Sequence, residues 1–199
     1  MEGCMPTIVH EELKKIRASL ASGLVLKESE ELGGLKGQLF IKAYEGDTLV
    51  YEYTRPNVVV KSASVLIARL LKDSKEPSRG IGFFAVGTGG SGWDLQDPPA
   101  PTINQTRLES ELARKAIGAT NTAFVDPETG DYTTTPTNVV DFSASFSNSE
   151  AVGPLTEMAL FGGDATASLN SGTMLNYRTF PVLNKTTAMH FSVIFRITC

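Results

Sequence analysis

Residues 187–197 read Thr187-Ala188-Met189-His190-Phe191-Ser192-Val193-Ile194-Phe195-Arg196-Ile197. Met189, Phe191, Val193, Phe195 and Ile197 share one side of a two-residue period, with His190, Ser192, Ile194 and Arg196 on the other. That is the pattern of a β-strand with one face in a core. A helix would scatter the same five apolar side chains around its circumference. Residues 139–146 repeat the pattern, with Val140, Phe142, Ala144 and Phe146 set against Asp141, Ser143 and Ser145. Residues 155–161 and 174–180 add two more apolar runs, so the second half of the chain predicts strands.

Toward the N-terminus, residues 80–88 (Gly-Ile-Gly-Phe-Phe-Ala-Val-Gly-Thr) form a continuous apolar run, which predicts a central strand covered on both faces. Residues 38–45 and 48–54 flank Gly46-Asp47, a two-residue hairpin connection with glycine first, as a type II′ turn requires. Pro56 forces Arg55 into an extended conformation. Three segments predict helices. Residues 7–21 lead into a stripe of Leu13, Ile16, Leu20 and Leu24, with Glu11 and Glu12 early and Lys14, Lys15 and Arg17 later, as the helix dipole favours. Residues 60–71 are apolar enough for a helix buried on much of its surface. Residues 106–118 open with Thr106 and Glu109, a capping-box pair, and carry Leu108, Leu112 and Ala116 as a stripe. Between the strand at 80–88 and this last helix runs a long Gly/Pro-rich loop, residues 89–105, containing Trp93. Strands clustered late, without βαβ alternation, predict a mainly β fold: an antiparallel β-sandwich decorated by about three helices. The domain covers residues 38–199, preceded by an N-terminal helical arm at 1–37 tethered through Gly33, Gly34 and Gly37.

The chain has 199 residues, of which 41% are hydrophobic and 20% charged, sufficient for one domain with a core. It contains no run of 18 apolar residues and no cationic patch leading into an apolar core at its start, so a soluble protein made in a cytoplasm is expected, away from membranes. Between Lys115 and Arg178 there is no Lys or Arg, while Asp126, Glu128, Asp131, Asp141, Glu150, Glu157 and Asp164 all lie there. A stretch without cations cannot hold a phosphate backbone by ion pairing, which argues against nucleic acid as its ligand.

Residues suited to catalysis are sparse. His10 and His190, Cys4 and Cys199 sit near opposite chain ends without metal-ligand spacing, so no metal or cofactor is expected. There is no Gly-x-Ser-x-Gly elbow, and the run Gly87-Thr88-Gly89-Gly90-Ser91-Gly92 lacks the Lys-Ser/Thr of a phosphate loop. Asp126-Pro127-Glu128-Thr129-Gly130-Asp131 is a turn sequence. No enzymatic activity is expected. Trp93 is a candidate contact with a neighbouring subunit or a sugar, and Leu13, Ile16 and Leu20 of the arm are candidate subunit contacts. Glu157, inside an apolar strand, is a candidate buried carboxylate pairing with Arg114 or Arg178. Cys4 and Cys199 are candidates for a disulfide between subunits after assembly.

Four pieces stand in a fixed order: Ile81-Gly82-Phe83-Phe84-Ala85-Val86-Gly87-Thr88-Gly89; Gln105-Thr106-Arg107-Leu108-Glu109-Ser110-Glu111-Leu112-Ala113-Arg114-Lys115; Gly153-Pro154-Leu155-Thr156-Glu157-Met158-Ala159-Leu160-Phe161; and Tyr177-Arg178-Thr179-Phe180-Pro181-Val182-Leu183-Asn184-Lys185. This order resembles structural proteins of tailed bacteriophages over residues 57–198, with Ala159 where the pattern has glycine. The resemblance implies a sandwich-like module of the neck, collar, baseplate or fibre root. It also implies a virion location, a symmetric homo-oligomer and other virion structural proteins as partners. The alternative is a receptor- or glycan-binding fibre module.

Overall fold

A computed structural model of the protein describes residues 34–72 and 79–199. The expected helix at 7–21, the contact candidates Leu13, Ile16 and Leu20, and Cys4 lie outside these residues. The described chain is mainly β. Its strands are β1 (Lys36–Glu45), β2 (Thr48–Val59), β3 (Arg79–Gly87), β4 (Glu111–Ala116), β5 (Thr122–Val125), β6 (Tyr132–Thr133), β7 (Val139–Phe146), β8 (Gly153–Gly163), β9 (Thr173–Lys185) and β10 (Met189–Thr198). One α-helix, α1 (Ser62–Lys72), and a 3-10 turn at Ala119–Asn121 complete the described elements.

All strand pairs are antiparallel and form one ten-stranded sheet in the order β4-β3-β8-β9-β2-β1-β10-β7-β5-β6. The β1–β10 ladder is the most regular, with Lys36 opposite Thr198 and Glu45 opposite Met189. In the β1–β2 hairpin Glu45 faces Thr48, and only Gly46 of the two turn residues has positive φ (57°), the signature of a II′ turn. The centre of the sheet is its thinnest join: β2 meets β9 only through Val58 opposite Tyr177 and Val59 opposite Asn176. Before Val58, β2 has a strand partner on one side alone, which is why the strand runs through Pro56 without losing a ladder on both edges.

The sheet bends over at this join, and its two runs share one core. Phe84 of β3 stacks on Phe195 of β10 with ring centroids 5.0 Å apart, although four strands lie between β3 and β10 in the sheet order. Leu39 and Ile41 of β1, Phe191 and Val193 of β10, Leu155, Met158 and Leu160 of β8, and Phe180 of β9 are buried in the same cluster. A second cluster lies on the opposite face of β3 and β8, where Ala85, Ala159, Phe161 and Tyr177 pack with Val58, Val60, Met174 and Leu108. The strand at 80–88 therefore has cover on both faces, as its unbroken apolar run requires.

The ladder is one continuous hydrogen-bonded sheet, because β2 carries it from one run to the other. Two expectations are corrected. Residues 111–116, expected as part of a helix, form β4 against β3, since a ladder with a central strand outweighs a helical propensity of a few tenths of a kcal/mol per residue. Helix α1 exists but buries only Ala63 and Leu66, leaving Val65, Leu70 and Leu71 exposed.

Candidate functional site

The four sequence pieces at 81–89, 105–115, 153–161 and 177–185 converge on the side chain of Glu157, which is fully buried. Its Oε1 accepts the N–H of Gly89 at 3.1 Å and of Ser110 at 2.8 Å, and its Oε2 accepts the N–H of Glu109 at 3.0 Å and the Tyr177 hydroxyl at 2.7 Å. A carboxylate offers about four lone-pair sites, so these four donors occupy them all. Burial first, then the adjacent Glu157 carboxylate, push the pKa of the Tyr177 hydroxyl well above its ordinary range. It therefore remains a donor wherever the protein is folded.

The bonds run to both feet of one loop. Gly89 begins the excursion between β3 and β4, and Glu109 and Ser110 end it, so a single side chain of β8 draws the ends of residues 89–109 together. Gly87 is what permits the approach: a Cβ there would lie 2.5 Å from Glu157 Oε1 and 2.6 Å from the Ser110 carbonyl. Inside the loop, Trp93 packs on its own backbone. Cβ atoms at Gly89 and Gly90 would fall 2.5 Å and 2.6 Å from its indole. The loop then crosses the gap between β2 and β9, where Val182 donates its N–H to the Leu95 carbonyl at 2.7 Å and Thr179 Oγ1 donates to the Pro99 carbonyl at 2.8 Å. Lys61 N–H reaches the Ile103 carbonyl at 2.9 Å.

The expected ion pair of Glu157 with Arg114 or Arg178 is corrected: backbone amides and Tyr177 fill the carboxylate, and both guanidiniums are engaged elsewhere. Arg114 makes a bidentate pair with Glu111 at 2.5 Å and 2.8 Å, with side chains 2% and 0% exposed. On a regular strand residues three apart face opposite ways. Here Leu112 is an extra residue between Glu111, opposite Gly87, and Ala113, opposite Val86, and this bulge turns both charges to one face. Arg114 also donates to the carbonyls of Thr166 and Ser171, while Glu111 accepts the Asn170 N–H at 2.7 Å, fastening the β8–β9 loop to β4. The guanidinium lies 5.0 Å from the Phe161 ring centroid and 5.5 Å from that of Phe83. Arg178 donates through Nε and Nη2 to the Tyr53 hydroxyl.

Two further polar clusters lie on the rest of the sheet. Asp141 and Arg196, opposite one another on β7 and β10, pair at 2.8 Å and 3.0 Å, and Tyr132 donates to Asp141 at 2.7 Å. Lys115 pairs with Glu150 at 2.7 Å, and the buried Lys185 ammonium donates to the carbonyls of Asn148 and Thr186. Burial lowers the Lys185 pKa, and Glu150 opposes that shift. For Glu150 burial raises the pKa, but bonds from Lys115 and the Ser147 N–H outweigh it and the net shift is downward.

Of the remaining candidates, Trp93 is half-buried, and Cys199 is an exposed free thiol whose backbone N–H and carbonyl both bond to Asn138. His190 stacks on Tyr44 at 5.6 Å. Sequence reading did not single out Tyr177, Gly87 or the amides of Glu109 and Ser110. The available signal was a lone acid within an apolar strand together with a glycine ending another. A cleft of about 320 Å³ opens between β3 and β8, lined by Ile81, Phe83, Ile117 and the glycines Gly80, Gly82 and Gly162. Among the described residues no group of three or more His, Cys, Asp or Glu is placed to hold a metal ion, and no helix is long and apolar enough to cross a membrane. Comparison with models of known protein families, with curated proteins and with solved structures finds no match.

Proposed function

We propose that the protein is a virion structural subunit of a tailed bacteriophage, without enzymatic activity, that assembles as a symmetric oligomer and joins neck, tail or baseplate components to fibres or neighbouring proteins. What carries the reading is the convergence at Glu157. The four pieces that resemble phage structural proteins are far apart in sequence, and each contributes to one buried clamp that fixes a long loop on the sheet. A carboxylate with all acceptor sites filled and no exposure is spent on holding structure. We read the bent sheet, with its shared core, as a sandwich-like module.

Rigid, hydrogen-bonded loops on a β scaffold suit repeated contacts between copies, because little ordering entropy remains to be lost on association. The expected interface exceeds about 1,000 Å² per contact, as stable assemblies need. The receptor- or glycan-binding alternative drew on Trp93 and the acidic loops, and the Trp93 indole lies against Gly89 and Gly90 of its own loop. Light scattering on the purified chain and an averaged density map of intact particles test the reading together. A defined oligomer and density for this fold at a symmetric station on the virion are expected. A monomer at all concentrations, absent from purified particles, would overturn it.

A further inference from the structure

Arg178 stands apart from Arg114 and Arg196. Each of those two meets a carboxylate through two nitrogens, Glu111 for the first and Asp141 for the second. Arg178 is half-buried, yet its Nε and Nη2 both donate to one neutral group, the Tyr53 hydroxyl, at 2.9 Å and 2.8 Å. Among the described residues its Nη1 has no acceptor. A second guanidinium lies against the same ring: the Arg178 and Arg55 Cζ atoms are 5.8 Å and 5.9 Å from the Tyr53 ring centroid. The two charges are therefore at most ~12 Å apart, and partial burial screens them less than open water would. Arg55 bonds to the Thr54 carbonyl, and among the described residues no carboxylate pairs with either arginine.

The two arginines sit where the sheet parts. In the β1–β2 ladder Tyr53 lies opposite Ile41 and Arg55 opposite Leu39, both core residues, so Tyr53 and Arg55 point to the core side of β2. Arg178 shares that side of β9 with the buried Phe180. Because β2 meets β9 only at Val58 and Val59, this side is open to solvent at Arg55. Paired N–H donors on planar cations suit carboxylates, and here none is supplied from within the described chain.

The complement lies at the other end of the sheet. Of the acids between Lys115 and Arg178, Glu157 is buried, Asp141 is paired with Arg196 and Glu150 with Lys115. Glu128 and Asp131 are exposed on the β5–β6 turn and pair with no cation among the described residues. The turn is braced: Asp126 Oδ1 accepts the Glu128 N–H at 2.8 Å, and the Asp126 N–H donates to the Asp131 carbonyl at 2.8 Å. Three residues apart, Glu128 and Asp131 have Cα atoms within ~11 Å, the scale of the arginine pair. Four strands lie between β6 and β2, ~24 Å of sheet, so the turn meets these arginines on a second copy and not on its own chain. We propose that Glu128 and Asp131 of one copy dock on Arg55 and Arg178 of the next, with the open Nη1 of Arg178 as a donor. Two different patches form this joint, so it is head-to-tail and generates a ring where the rotation closes. The contact rests on the reading of the protein as a symmetric oligomer and names the surface that sets its register. Charge pairs of this kind govern register and encounter rate more than raw affinity.

Charge reversal on each patch, read by light scattering on the full chain, tests the joint. Glu128→Lys with Asp131→Lys, and separately Arg55→Glu with Arg178→Glu, are each expected to weaken association about tenfold or more, with far-UV circular dichroism retained. An equimolar mixture of the two variants is expected to restore association, because every joint between unlike copies again carries opposite charges. Asp164→Lys, an exposed acid off the turn, is expected to change nothing. If the double arginine variant fails to fold, Arg55→Glu alone, at an exposed position, is expected to weaken association and to regain it on mixing. An unmodified chain that is oligomeric, with variants that assemble equally well or are not restored by mixing, overturns the contact and leaves the oligomer reading in place. An unmodified chain that is monomeric at all concentrations overturns both.

Discussion

Burying a carboxylate costs several kcal/mol unless its oxygens are bonded, and Glu157 is bonded by three amides and a phenol. Glu157→Gln keeps the shape but turns an NH2 group toward donors, so a loss of ~2–4 kcal/mol is expected in urea unfolding. Tyr177→Phe, which removes one bond to the carboxylate, is expected to cost ~1.5–3 kcal/mol. Gly87→Ala would force a methyl group against Glu157 Oε1 and the Ser110 carbonyl, for ~1–3 kcal/mol. A cost below ~0.5 kcal/mol for all three would show that the clamp contributes nothing. Glu150 gives a pH-dependent counterpart. Its folded pKa lies below the ordinary value of 4.5, so its contribution is present above that pH and is lost as pH falls through the folded pKa. Glu150→Gln is therefore expected to flatten the acid limb of stability below about pH 4.5, while an unchanged acid limb would assign that limb to other carboxylates.

The loop 88–110 has no ladder of its own and depends on Glu157 at both feet, so it should loosen before the sheet does. The sequence contains one Trp, Trp93, lying on Gly89 and Gly90, and its emission reports the loop alone. In Glu157→Gln the red shift is expected at lower urea than the loss of far-UV signal, whereas coincident transitions would mean that loop and sheet open together. For the β8–β9 loop the hinge is Arg114. Arg114→Ala leaves Glu111 buried without a cation, an expected loss of ~3–5 kcal/mol, with proteolysis appearing first at residues 164–172. These elements mark where sequence reading stopped. Strands with long alternation or a continuous apolar run, such as β10, β7 and β3, were legible because their side chains alone state which face is buried. β4 was not, because Thr106, Glu109, Leu108 and Leu112 satisfy a helical template locally, and only the pairing with β3 and the bulge at Leu112 decide otherwise. At the site, Glu157 stood out as a lone acid in an apolar run. Its partners did not, since backbone N–H groups have no letter in a sequence.

On the scale of the molecule, the two runs of the sheet are joined by little backbone pairing and much side-chain bonding. Beyond Val58 opposite Tyr177 and Val59 opposite Asn176, the Tyr51 hydroxyl donates to the Pro181 carbonyl at 2.6 Å and Tyr53 to the Thr179 carbonyl at 3.3 Å. Burial, reinforced by Tyr53, raises the Tyr51 pKa, so this bond persists across neutral and mildly alkaline pH. Replacing both tyrosines by Phe is expected to cost ~1–3 kcal/mol in total and to speed amide exchange along β9 more than along β10. Uniform exchange along both would mean that the join is held by the core alone. The β1–β10 ladder sets how the fold carries load. Lys36 lies opposite Thr198 and Glu45 opposite Met189. Tension applied at Lys36 and Thr198 pulls on the same end of an antiparallel pair, so each rung meets the whole force in turn, as in a zip. Tension applied at Lys36 and Met189 drags the strands past one another and loads all the rungs together. A subunit attached to its neighbours by Lys36 and Thr198 would peel open under modest traction, whereas one gripped by its flanks would resist.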